Sequence, residues 1–126
     1  TIFDIWNLNS KLPSKIFHLG MFFLMREDIL PTWEDPRNRD GGCWSYKITI
    51  LNVYDLWKNL TMFTVSENLS KKNEYITGIS ISPKKGLCIV KIWNSNSSYC
   101  ENSQLTTKIN HLEHDQSLYT PFKNKK

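Results

Sequence analysis

Gly42-Cys43-Trp44-Ser45-Tyr46-Lys47-Ile48-Thr49-Ile50 is the stretch whose reading decides the fold. Its alternation is strict: Trp44, Tyr46, Ile48 and Ile50 fall on one face, and Cys43, Ser45, Lys47 and Thr49 on the other. A strand with one apolar face is half-buried, so it needs neighbouring strands and a layer packed on that face. The next segment supplies the layer. Asn52 stands where it caps a helix whose Val53, Leu56, Trp57, Leu60, Phe63 and Thr64 recur at helical spacing, giving one apolar stripe.

Working outward toward the C-terminus, residues 66–73 read as a polar connection, and residues 74–82 alternate around Thr77, Ile79 and Ile81. A further strand over 87–93 follows the turn Pro83-Lys84-Lys85-Gly86, so the two make a hairpin. Residues 94–98 read as a polar loop, 101–114 as a helix on Leu105, Ile109 and Leu112, 118–122 as a short strand, and 123–126 as a loose basic tail. Toward the N-terminus, residues 31–42 form a long ordered loop, with two prolines restricting φ and Asp35, Asn38, Asp40, Gly41 and Gly42 supplying turn chemistry. Residues 15–25 read as a strand closed by Arg26-Glu27-Asp28, and Thr1 caps a short helix through Leu8, with Ile2, Ile5 and Trp6 as its apolar members. Antiparallel strands with about three helices specify an α+β domain, its helices on one face of a sheet.

The 126 residues are 40% hydrophobic and 13% aromatic, enough for one core and too few for two ordinary domains, so residues 1–126 are read as a single domain. A formal net charge of +4 suits an anionic partner such as a nucleotide or RNA without requiring one. Cys43, Cys88 and Cys100 make an odd count without C-x-x-C spacing, which argues against a disulfide framework and a zinc site and for a reducing setting. Three glycosylation-type triplets, at Asn59, Asn68 and Asn96, are expected by chance in a chain this rich in Asn, Ser and Thr. The apolar run 19–25 is too short to span a bilayer, and neither a membrane segment nor a signal peptide is read. His18, His111 and His114 belong to no catalytic motif, and Cys43 has no evident base. His111 and His114, three residues apart, are read as a solvated helix face in preference to a metal site. The chain is therefore expected to be neither an enzyme nor dependent on a cofactor or metal.

Trp33-Glu34-Asp35 sets a flat indole beside a carboxylate on a proline-restrained loop, a combination matched to a planar cationic base. Taken alone, the triplet reads more readily as a buried tryptophan beside a solvated acidic turn. Its surroundings change the balance. From Pro31 to Trp44 the sequence resembles the P-x-W-E-D-x-x-N-x-x-G-G-x-W pattern of the eukaryotic cap-binding translation initiation factor 4E family, with eight defined positions at fixed spacing. Asp4-Ile5-Trp6 resembles that family's D-F-W helix, Asp55-Leu56-Trp57 its R-F-W helix, and Ile76-x-Gly78 with Trp93 fifteen residues on its strand hairpin.

The resemblance implies a curved antiparallel sheet with three helices on its convex side and the 7-methylguanosine cap of mRNA held in the concave face. Trp33 is then expected to stack on the methylated base, where cation–π attraction adds roughly 0.5–2 kcal/mol. Glu34 is expected to accept from N1–H and N2–H of guanine as a bidentate, charge-assisted pair. Trp44, Trp57 and Trp93 resemble the family's core tryptophans. For the cap's phosphates, an ungapped match puts Lys84 at the family's arginine but Ile89 at its lysine, leaving Lys85 or Lys91 to substitute. The family's second stacking tryptophan lies upstream of the D-F-W helix, so this chain is expected to be a fragment lacking the first strands. Ile2 and Trp6 match the convex patch on which relatives take a helical peptide from a scaffold or inhibitory protein, and Met62 is expected to supply an apolar neighbour from the second helix. The function implied is a cytoplasmic mRNA cap-binding factor acting in translation initiation. The alternative is a divergent relative that holds caps poorly and acts as a partner-binding regulator or decoy.

Overall fold

The computed structural model describes residues 22–26, 29, 34–71, 73–84 and 86–122. The helix expected over 1–8, most of the strand expected over 15–25, and the basic tail lie outside these residues. Strand β1 (Phe22–Met25) precedes a single helical turn, α1 (Pro36–Arg39), and strand β2 (Gly42–Thr49). Helix α2 (Val53–Val65) follows, then the hairpin β3 (Ile76–Lys84) and β4 (Leu87–Asn94), and last β5 (Leu118–Pro121). The five strands form one antiparallel sheet in the order β1-β3-β4-β2-β5, the α+β architecture expected from the sequence.

The alternation in β2 is realised as expected. Trp44, Tyr46 and Ile48 enter the main core, while Lys47 and Thr49 are exposed. Leu24 from β1, Ile79 and Ile81 from β3, and Cys88, Val90 and Ile92 from β4 line the same face. Against it α2 lays Val53, Leu56, Trp57 and Leu60, all buried, as its helical stripe requires. Asn52 occupies the N-cap position, but its side chain makes no capping bond. Its backbone carbonyl instead accepts from the Leu56 N–H at 3.1 Å.

The hairpin connection is tighter than the sequence suggests. β3 runs through Pro83 and Lys84, which pair with Cys88 and Leu87, leaving only residues 85 and 86 between the strands. Gly86 has φ 73°, a left-handed conformation that glycine adopts without steric cost. Between Ile76 and Gly78 the β3–β4 register shifts, and Arg26 braces this irregular stretch. Its Nε donates to the Ile76 carbonyl at 3.0 Å, and its guanidinium makes a two-pronged pair with Glu67 just past α2, each contact at 3.0 Å.

The helix expected over 101–114 does not form. Only short 3-10 turns occur, at Asn102–Gln104 and His114–Gln116, and His111 has φ 73°. Leu105, Ile109 and Leu112 are nevertheless buried in the main core. The backbone spends its hydrogen bonds elsewhere: Lys71 N–H donates to Gln104, Thr106 N–H to Leu69, and Lys108 N–H to the Thr106 hydroxyl. Ser103, Thr106, Thr107 and Asn110 are weak helix formers whose side chains compete for local backbone groups, so tertiary pairing with residues 69–71 wins.

Candidate functional site: the open face of the sheet

The loop that carries the acidic motif is built on local rules and then clamped from three directions. Asp35 accepts the Arg37 N–H at 2.9 Å and so caps α1, whose first residue is Pro36, a position where no backbone donor is needed. The Arg37 side chain also reaches both Asp35 oxygens at 3.2 Å, and Asp35 is buried. Arg39 donates to the Glu34 carbonyl oxygen at 3.0 Å, fixing the backbone there. The Asp40 carbonyl accepts from Ser97 N–H, and the Gly41 carbonyl from Phe122 N–H, both at 2.9 Å.

Asn94, almost wholly buried, ties these parts together. Its Oδ1 accepts from Gly42 N–H at 3.0 Å and from the Tyr119 hydroxyl at 2.6 Å, while its Nδ2 donates to the carbonyls of Asn96 and Tyr99. The two glycines are required by this closeness. A β-carbon at Gly41 would meet the Asn94 carbonyl, and one at Gly42 the Thr120 carbonyl and the Tyr119 ring. Burial pushes the Tyr119 phenol above its ordinary range, so the hydroxyl stays protonated as a donor to Asn94.

Glu34 stands at the start of this clamped segment with its side chain exposed. Trp33 lies outside the described residues, as do Lys85, Ile2 and Trp6. Met62 is exposed on the outer side of α2, with Asp55 and Lys58 also solvent-facing on that helix. Lys58 lies over the Tyr54 ring at 5.7 Å.

The face of the sheet opposite α2 has a different chemistry. A smaller cluster of Cys43, Trp93 and Phe122, joined by Phe23 and Met25, sits near the start of β2. From it a groove of about 320 Å³ extends along the hairpin, lined by Phe23, Ser80, Ser82, Lys84, Ile89, Lys91 and Trp93. Trp93 donates its indole N–H to the Ser80 hydroxyl at 3.0 Å, which fixes the ring as one end of the groove. The described strands contain three lysines, Lys47, Lys84 and Lys91, and no acidic residue. All three fall on this open face, since their strand neighbours Tyr46 and Ile48, Val90 and Ile92, and the Ile79–Ile81 register occupy the core face. A groove with an aromatic end, hydroxyls and lysines on strands without acidic residues suits an anion attached to a flat group.

Two positions go beyond the sequence reading. Trp44, Trp57 and Trp93 are all buried as expected, but Trp93 belongs to the smaller cluster on the other side of the sheet, where it also lines the groove. Parity along β4 carries this signal, because Trp93 alternates with Val90 and Ile92 and shares a face with Ile89 and Lys91. Lys47 also escapes a reading by motif, and again its place in the alternation of β2 is the signal. Among the described residues no group of three metal-ligating side chains forms, no helix is long and apolar enough to cross a membrane, and the three cysteines are unbridged.

The model of the family described as Eukaryotic initiation factor 4E matches residues 1–126. Eukaryotic translation initiation factor 4E-2 of Schizosaccharomyces pombe is 31% identical over 110 residues, a match covering 86% of this chain and 42% of that protein. The chain thus spans less than half the length of that relative. Among solved structures, a complex of C. elegans eIF4E-3 with the 4E-binding protein Mextli and cap analog superposes with a TM-score of 0.74 at 22% identity, covering 95% of this chain and 73% of that one. A complex of Ascaris suum eIF4E-3 with m7G cap superposes at 0.66 and 24% identity, covering 76% and 57%. At these identities the two structures establish a shared fold.

Proposed function

The chain belongs to the eukaryotic initiation factor 4E family, and from that premise we propose that it binds the 7-methylguanosine 5′ cap of mRNA on the open face of its sheet. The observation that carries this reading is the groove running from Trp93 past Lys91 to Lys84, beside a loop clamped to hold Glu34. Trp33 stacks on the methylated base, and the exposed Glu34 carboxylate accepts from N1–H and N2–H of guanine, a pattern adenine does not offer. Lys84 and Lys91, with Lys85 in the turn, neutralise the phosphates as point charges, without the planar fork of an arginine.

The opposite side of the sheet takes a protein partner. Met62 on α2, with Ile2 and Trp6, receives an apolar helical segment of a scaffold or inhibitory protein, so cap recognition and scaffold attachment occupy opposite faces. The role is non-catalytic, in cytoplasmic translation initiation, with residues 1–126 acting as one cap-binding domain. Two relatives support it through what they were solved with, an m7G cap and the Mextli protein with a cap analog.

Calorimetric titration with 7-methyl-GTP and with GTP tests the reading. A preference of about 2- to 30-fold for the methylated nucleotide is expected from the added cation–π attraction. Glu34→Ala is expected to weaken 7-methyl-GTP by about 10- to 100-fold, the discrimination of a bidentate pair. Equal weak binding of the two nucleotides contradicts it.

A further inference from the structure

On the open face, Ile89 occupies the strand position that the family resemblance assigns to a phosphate-binding lysine, and the sheet register identifies what surrounds it. Ile89 pairs with Lys47 on β2 and with Ser82 on β3, while Lys91 lies two residues along the same strand and Lys84 diagonally across β3. Directly opposed side chains in an antiparallel sheet begin about 4.5–5.5 Å apart at Cβ, and diagonal ones about 7–8 Å apart. The exposed Lys47 therefore starts closer to the Ile89 site than Lys84 does, and its four-carbon stem is long enough to carry an ammonium group over that site.

We infer that Lys47, together with Lys91, supplies the cationic clamp for the polyphosphate chain in place of a lysine at position 89. This rests on the proposed cap-binding function and assigns to the same site a residue from a different strand. Ile89 then acts as an apolar floor. It offers the two lysine stems an apolar surface between β2 and β4 and keeps water away on one side, which strengthens each ammonium–phosphate contact relative to open solvent. The described strands hold no carboxylate, and Glu113, which lines a pocket with Lys47 beside the second half of β2, is itself exposed. The clamp is wider than one built along a single strand, so it favours a chain of several phosphates over one phosphate.

The test compares 7-methyl-GTP with 7-methyl-GMP, and GTP with GMP, on the chain and on Lys47→Met, which keeps an unbranched stem and removes the charge. Lys47→Met is expected to weaken 7-methyl-GTP by about three- to tenfold while changing 7-methyl-GMP by less than about twofold. Adding Ile89→Lys to Lys47→Met is expected to restore triphosphate binding, and Lys108→Met, an equal loss of net charge elsewhere on the surface, is expected to leave it unchanged. Unaltered 7-methyl-GTP affinity in Lys47→Met overturns the inference, as does an equal loss for the monophosphate or an equal effect of Lys108→Met. Should the chain fail to prefer methylated over unmethylated nucleotide, the base-reading proposal falls. The GTP-to-GMP ratio in Lys47→Met still decides this one.

Discussion

The two faces of the sheet are drawn from the same strands, yet they obey different rules. On the α2 face every described strand but the short β5 contributes buried apolar side chains, and Leu56, Leu60, Ile79, Ile81, Val90 and Ile92 have no exposed surface. On the open face the same strands carry Ser80, Ser82, Lys47, Lys84 and Lys91 around Trp93 and Ile89. The closed face carries the main core, and the open face, beyond its small cluster of Cys43, Trp93 and Phe122, is where binding is proposed. A single residue step along a strand moves a side chain from one task to the other.

The sharpest way to break the comparison is to cut equivalent amounts from each face. Leu56→Ala removes a fully buried side chain between α2 and the sheet and is expected to cost about 2–5 kcal/mol in chemical denaturation. Lys91→Ala on the open face is expected to stay within about 0.5 kcal/mol of the unmodified chain in the same experiment. Comparable losses would mean that the open face is part of the folding core. Next in size is Asn94, which belongs to neither face but joins the β2 start, β5 and the 96–99 turn. Asn94→Ala leaves the Gly42 N–H and the Tyr119 hydroxyl without their acceptor, for an expected loss of about 1–3 kcal/mol. It is also expected to weaken nucleotide binding through the loosened loop. Full stability in this variant would show that the loop is held by its other contacts alone.

A smaller effect is expected from pH. Burial raises the Tyr46 and Tyr119 phenols above their ordinary value of 10.0, so the folded chain favours the neutral form more than the unfolded chain does. That contribution is complete below about pH 10 and is lost as pH rises toward the folded values, so stability should decline on the alkaline side. Denaturation midpoints measured from pH 8 upward are expected to fall less steeply beyond pH 10 in Tyr46→Phe. An unchanged slope would place the alkaline loss elsewhere.

Much of this organisation was legible in the sequence, and the parts that were not share a cause. β2, α2 and the β3–β4 hairpin follow from period and capping position, because each buries one face and so writes its geometry into its own residues. The segment 101–114 misleads for the opposite reason. Leu105, Ile109 and Leu112 are spaced as in a helix, but they reach the core from turns pinned to residues 69–71, and a contact with a distant segment leaves no local pattern. At the candidate site, Glu34, Lys84 and Lys91 are proposed from motif and spacing. Trp93 was read only as a core residue, without its place beside the groove, and Lys47 was passed over. Both omissions come from reading motif before parity, since strand alternation alone puts Trp93 on the same face as Lys91 and Lys47 opposite Ile89.

Tryptophan offers the most direct measurement, because the same side chain occurs on both faces. Indole N–H resonances, assigned through single Trp→Phe variants, can be followed by NMR while 7-methyl-GTP is added. The Trp93 signal is expected to shift in proportion to saturation, together with that of Trp33, while Trp44 and Trp57 in the core stay in place. If Trp44 and Trp57 move and Trp93 does not, the ligand is not on the open face, and the account of a sheet with one folding face and one binding face is wrong.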